Sequence, residues 1–245
     1  MRIRVESYMN ITEISSPKKK ITIDIVSDVV CPWCYIGKKR LEKAIERVSD
    51  QYDFELNYYP FELNPEMPKS GRNQRDYLSD KFGGEERYEQ ITSHTTSVAA
   101  TEGLTFDFSK QQISPNTRDL HVVLQLARHD GIQLPVMEAF FKAYFTDGID
   151  LSKSDNIIAV AVSAGLTHDK VKKALEDEKA KLDVAASEKE IYNLGISGVP
   201  FYIINNTYGI SGAQMSDTFV KAFQDIGEKM VVAGGEACDV DGKNC

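Results

Sequence analysis

Cysteine is scarce in this chain: four residues in 245, at positions 31, 34, 238 and 245. They fall into two close pairs with no cysteine between residues 34 and 238. A secreted disulfide scaffold spreads its cysteines through the fold, so that class is excluded and two local pairs point to chemistry instead. Long apolar runs are also missing. No segment approaches the roughly 18 residues that suggest a membrane span, and residues 1–20 lack the unbroken apolar stretch of a secretory signal. A cytoplasmic address is expected. Basic charge is short, with 29 Lys and Arg against 37 Asp and Glu and a net charge of −8. Phosphate backbones and anionic lipids attract basic surfaces, so nucleic acid and membrane partners are disfavoured. None of the four histidines, His94, His121, His129 and His168, makes a close sequence pair with another His or with Cys, and no metal site is predicted.

What is present reads as an ordinary globular chain with core enough to fold, 42% hydrophobic and 27% charged. Residues 21–27 alternate apolar and polar and are rich in Ile and Val, which predicts a strand. Beyond Pro32, Leu41, Ala44, Ile45 and Val48 recur at helical spacing, an apolar stripe facing a core. Phe54, Leu56 and Tyr58 alternate again, giving a second strand over residues 53–59 and a βαβ unit.

From residue 71 to about 186 the pattern is helical. The surest piece starts at Asn116 as N-cap, with Leu120, Val123, Leu124 and Ala127 on one face and Gly131 as its stop. A second runs from 154 to 164, and more helix spans 171–194 with a break that periodicity does not place. Strand character returns at 201–205 and 208–211 around Asn205-Asn206, a pair suited to a tight turn because asparagine tolerates positive φ. A closing helix is expected over 215–228, with Phe219, Ala222, Phe223 and Ile226 on one side.

The segment Cys31-Pro32-Trp33-Cys34 lies between the first strand and the first helix. Proline suits a first helical turn, and the free N–H groups there favour negative charge. Two intervening residues let one thiolate attack a foreign disulfide while the other resolves the mixed disulfide. Cys31, outermost, is expected to attack; Cys34, a turn deeper, to resolve. A thiol of pKa near 8.5 is only about 7% ionised at pH 7.4, and lowering it to 5.5 raises the thiolate roughly 13-fold. Intrinsic nucleophilicity falls by about 20-fold over the same range, so the lasting gains are a better leaving group and a more stable reduced form. Half a zinc site and inert core thiols are the competing readings of one C-x-x-C. Its placement between strand and amphipathic helix favours redox chemistry.

The run Asp-Ile-Val-Ser-Asp-Val-Val-Cys-Pro-Trp-Cys-Tyr-Ile-Gly at residues 24–37 resembles the DsbA-like thioredoxin superfamily, and within it the FrnE-like dithiol–disulfide oxidoreductases. The likeness continues through Pro-Phe-Glu-Leu-Asn-Pro at 60–65, Asn-Thr-Arg-Asp-Leu-His at 116–121, Gly-Ile-Ser-Gly-Val-Pro-Phe at 195–201 and Ser-Gly-Ala-Gln at 211–214, in order along the chain. The resemblance implies an α/β thioredoxin-like fold with a large all-helical insertion. The expected divisions are an N-terminal extension (1–20), the thioredoxin-like part (21–66 with 187–228), the insertion (67–186) and a tail (229–245).

The resemblance further implies a cis Val199–Pro200 peptide facing Cys31, with Trp33 and Pro32 shaping the rim and the redox potential. His121 is either a cleft residue that tunes Cys31 or a surface or interdomain histidine with ordinary hydrogen bonds. Cys238 and Cys245 look like the second cysteine pair that such proteins often carry, a relay for electrons to or from Cys31 and Cys34; incidental tail thiols are the alternative. The implied partners are protein or small-molecule thiols and disulfides. No cofactor is expected beyond the redox disulfide, with glutathione or thioredoxin as recycling partner, and the protein is expected to be a monomer or homodimer. Oxidation, reduction and isomerisation of disulfides all fit. A glutathione-dependent isomerase or transferase, of the kappa or 2-hydroxychromene-2-carboxylate isomerase type, is the second reading. It meets the difficulty that those relatives use a serine where this chain has Cys31. A metal-binding or chaperone-like module is the third.

Overall fold

The computed structural model describes residues 18–234, with the side chains described as far as residue 229. Strand β1 (Lys19–Ser27), helix α1 (Pro32–Arg47) and strand β2 (Tyr52–Pro60) form the expected βαβ unit, with β1 and β2 parallel in continuous register from Lys19 opposite Tyr52 to Ser27 opposite Pro60. Strands β5 (Phe201–Ile204) and β6 (Tyr208–Ser211) return as an antiparallel hairpin. β5 adds antiparallel to β1, so the sheet order is β2-β1-β5-β6. Asn205 and Asn206 make the turn with φ of 49° and 53°, the positive values that let a two-residue connection follow the twist of the strands. Helix α9 (Ser216–Gly234) then packs beside α1 and buries Phe219, Phe223 and Ile226. It extends past the expected end at 228, because nothing in residues 229–234 stops a helix.

This is the thioredoxin-like arrangement, and the stretch between β2 and β5 carries the inserted helices. These are α2 (Gln74–Phe82), α3 (Glu85–Thr101), α4 (Arg118–His129), α5 (Gln133–Lys142), α6 (Ser154–Ser163), α7 (His168–Glu176) and α8 (Glu178–Asn193). The insertion is not purely helical. Two-residue strands β3 (Arg72–Asn73) and β4 (Ile113–Ser114) pair antiparallel, too short for any alternation to show. Helix α4 begins one residue later than expected, with Thr117 at its N-cap, while Asn116 Oδ1 accepts the Arg118 N–H at 3.0 Å. The break that periodicity left open is at Asp177, whose extended backbone separates α7 from α8 and whose carboxylate accepts the Lys179 N–H at 2.9 Å.

Helix α5 continues into a π-helical turn at Ala143–Asp147. The wider turn inserts a residue into the helical face, and Tyr144 and Phe145 are both buried there, on the wall of a cavity that Cys31 also lines. The insertion is tied to α1 through Tyr35. Its ring stacks on Phe141 at 4.8 Å with planes 7° apart, and its hydroxyl donates to Glu138 at 2.7 Å. Lys38, also on α1 and buried, is held between Glu42 and Glu138. The core is therefore continuous from the sheet into the inserted helices.

Candidate active site

Cys31 is the N-cap of α1 and Pro32 its first residue, as the sequence placed them. The helix has no capping side chain and no acidic residue in its first turn. A carboxylate there would compensate the helix dipole; its absence leaves the positive end to the sulfur. The Cys31 N–H donates to Asp28 O at 3.1 Å and the Cys34 N–H to Cys31 O at 3.0 Å, which fixes the turn between the two residues. Both are free thiols. They are 4% and 2% exposed, and only Cys31 lines the adjoining cavity. Burial pushes the Cys34 thiol well up, and the neighbouring Cys31 adds to it.

The Val199–Pro200 peptide is cis. The Cys31 thiol lies 3.8 Å from Val199 O, in the range of a weak S–H donor. Pro200 and Tyr202 press on α1 at Gly37, where a Cβ would overlap the Tyr202 hydroxyl and approach Pro200 Cγ to 3.2 Å. Trp33 lies on the cavity wall and its ring faces His94 of α3 at 6.1 Å.

The cavity beside Cys31 has a volume of about 320 Å³. It is closed from the insertion side by α2, α3 and the π-helical turn, through residues such as Tyr77, Leu78, Phe82, Ile91 and Tyr144. Among the described residues, Asp28 and Lys81 are its only charged lining residues.

His121 is 2% exposed, away from the surface. Its Nε2–H donates to Phe61 O at 3.2 Å and stands 3.5 Å from Asp28 Oδ1. Burial pulls the imidazole down, but the hydrogen bond and charge of Asp28 outweigh it, and Glu188 and Glu62 add to the rise. Asp28 Oδ2 in turn accepts the Leu63 N–H at 2.8 Å. Glu62 is buried with its carboxylate on the Arg118 guanidinium, and its own N–H donates to Glu188 Oε1 at 2.7 Å. Burial, then the Glu188 charge, raise Glu62 to about 7, against the pull of Arg118 and His121.

Sequence reasoning singled out His121 but missed Asp28, Glu62, Arg118 and Glu188. The first three lie in the very runs that carry the family likeness, which was the available signal; Glu188 on α8 had none. Cys238 and Cys245 lie outside the described residues. Among the described residues there is no cluster of three or more potential metal ligands, and no helix is long and apolar enough to cross a membrane.

The family model for the DSBA-like thioredoxin domain matches residues 22–224. The Streptomyces coelicolor protein SCO1869, a probable DsbA oxidoreductase, is 34% identical, with a TM-score of 0.79 over 85% of this chain and 91% of that one. The Bacillus subtilis (strain 168) protein YwbO, itself uncharacterized, is 27% identical over 218 residues, 84% of this chain and 96% of that one. The cytosolic disulfide reductase DsbM of Pseudomonas aeruginosa, solved with GSH, shares the fold at 15% identity and a TM-score of 0.56, over 86% of this chain and 98% of that one.

Proposed function

This chain belongs to the DSBA-like thioredoxin domain family, and on that premise we propose that it exchanges thiols and disulfides through Cys31 and Cys34. One observation carries the reading. Two free thiols share the uncompensated N-terminus of α1, one on a cavity wall and the other enclosed behind it.

The chemistry follows from that asymmetry. The Cys31 thiolate attacks one sulfur of a substrate disulfide; a Cys31–substrate S–S bond forms and the other substrate half leaves as a thiolate. Cys34 then loses its proton and attacks the Cys31 sulfur. A Cys31–Cys34 disulfide forms and the second substrate half departs as a thiolate. Two electrons pass from the protein to the substrate, and the reverse sequence oxidises a dithiol. The Val199 carbonyl, within reach of the Cys31 sulfur, supports a role for the 199–200 loop in aligning the incoming group. Trp33 and Pro32 border that approach.

We further place this chemistry in the cytoplasm. There the glutathione pool favours reduction or isomerisation over net oxidation, with glutathione or a thioredoxin as recycling partner. It extends to Cys238 and Cys245 as a relay pair. Unchanged turnover on a protein disulfide after both are replaced by serine would remove the relay. For the central claim, reduced protein is mixed with a protein disulfide and followed by mass spectrometry. Cys34→Ser is expected to accumulate the mixed disulfide at Cys31, and Cys31→Ser to form none. An adduct on neither variant overturns the reading.

A further inference from the structure

The cavity beside Cys31 carries a polar group that the exchange chemistry does not use. Gln111 is 5% exposed, lines this cavity and also the neighbouring groove beside Asn73, Glu89 and Asp107, and its Nε2 has no hydrogen-bond partner among the described residues. Its orientation is set from behind. The Tyr88 hydroxyl donates to Gln74 Oε1 at 3.0 Å, and Gln74 Nε2 donates to Gln111 Oε1 at 3.3 Å. That chain occupies the amide oxygen and leaves the NH₂ as the free end. Buried amide donors are paired in the great majority of native folds, and leaving one unpaired is costly. Around it the wall is aromatic and aliphatic, including Trp33, Leu78, Phe82 and Phe108.

We propose that this cavity is the binding site for one half of a low-molecular-weight disulfide: an apolar or aromatic body carrying a carbonyl-type oxygen, which Gln111 Nε2 receives while the sulfur meets Cys31. The inference rests on the thiol–disulfide reading and names its substrate class. The volume of about 320 Å³ is at the small end of the range for small-molecule pockets. The charge pattern selects against glutathione as the occupant. Its two carboxylates would meet buried Asp28 on the wall, with Lys81 the only lining cation among the described residues. The step is the one described above. Cys31 forms the mixed disulfide with the bound half, the other half leaves as thiolate, and Cys34 releases the bound half, the electrons coming from the protein dithiol.

Two thioethers that cannot exchange separate binding from chemistry. Trp33 is the single tryptophan of the chain and lies on the wall, so its fluorescence reports occupancy; calorimetry provides a second reading. Wild-type protein is expected to bind 4-(methylthio)acetophenone about tenfold more tightly than thioanisole, the discrimination typical of one buried hydrogen bond. In Gln111→Leu the two affinities should converge. Equal affinities in the wild type, binding of neither probe, or a preference that survives in Gln111→Leu overturns the inference. The wild-type comparison stands even if that variant does not fold.

In parallel, reduced wild type is reacted with bis(4-acetylphenyl) disulfide and glutathione disulfide, each rate normalised to that of dithiothreitol. The aryl ketone is expected to be faster by tenfold or more, and a faster glutathione disulfide rejects the assignment. Thioether binding with no exchange on any disulfide would instead refute the proposed function while leaving a ligand site in place.

Discussion

The Cys31 thiol and the Val199 carbonyl stand 3.8 Å apart although 168 positions separate them in the chain. The antiparallel addition of β5 to β1 makes this contact. It carries the loop before β5 to the N-terminus of α1, so an incoming sulfur must approach Cys31 alongside a backbone acceptor. Cys34, one turn in, is beyond such an approach.

The enclosed position of Cys34 predicts a pH signature for the second half of exchange. Burial raises its thiol well above the ordinary value, so the resolving thiolate is a minor species at neutral pH. Resolution of a preformed Cys31 mixed disulfide should accelerate with pH through pH 9 without levelling. Stopped-flow release of an aryl thiolate measures it, and a plateau below pH 8 would contradict the assignment.

The Glu62 site predicts how stability varies with pH. Folding raises Glu62 from 4.5 to about 7, so the folded state holds that proton more tightly. The associated stability is full below pH 4.5 and is lost as pH rises through 7. His121 is also raised, above 6.5, and acts in the same direction from pH 6.5 upward. Urea midpoints at a series of pH values should fall from 4.5 to 8. Glu62→Gln should flatten the part below 7 and leave the part above it. A wild-type midpoint that rises over this range would show the opposite linkage.

His121 and Asp28 form a buried pair, ionic when the imidazole is protonated. Removing one member leaves the other without its counter-charge, which typically costs about 3–5 kcal/mol. His121→Leu should therefore lower stability at pH 6 by about that amount. A loss below about 0.5 kcal/mol would mean that the pair is not ionised.

Gly37 tests whether local or tertiary rules govern α1. Replacing glycine by alanine inside a helix ordinarily gains about 0.5–1 kcal/mol. Here the added methyl meets the buried Tyr202 hydroxyl and Pro200, and overpacking costs about 1–3 kcal/mol. Gly37→Ala is expected to be destabilising on balance and to slow Cys31 alkylation, because it displaces the 199–200 loop. Thermal unfolding and iodoacetamide kinetics check both, and a stabilised variant would show that the loop gives way freely.

The direction of electron flow has a single readout. A reducing or isomerising role in a glutathione-buffered compartment calls for a Cys31–Cys34 potential nearer the −270 mV of thioredoxin than the −120 mV of DsbA, a roughly 150 mV span. Equilibration against glutathione ratios measures it, and a value near the upper figure would assign an oxidant.

Much of the fold was legible because it is written in local patterns. Alternation gave β1 and β2, helical spacing gave the buried stripe of α1, and the Asn205-Asn206 pair gave the hairpin turn. Other features left no local trace. Strands β3 and β4 are two residues each, shorter than one cycle of alternation. The π-helical turn after α5 differs from an α-helix by one inserted residue. Gln111 reads as a polar residue in a loop, and only its place beside Gln74 of α2, itself held by Tyr88 of α3, turns it into a buried donor.

By itself, the sequence determined that two cysteines two residues apart would stand at the start of a helix, since that depends on proline, spacing and periodicity within a few turns of chain. Tertiary structure alone decided which sulfur faces the cavity and which is enclosed. It also decided that Asp28, Glu62, Arg118, His121 and Glu188 share one buried site. Those outcomes depend on desolvation and on charges brought together from distant elements, and neither quantity exists until the chain has closed around them.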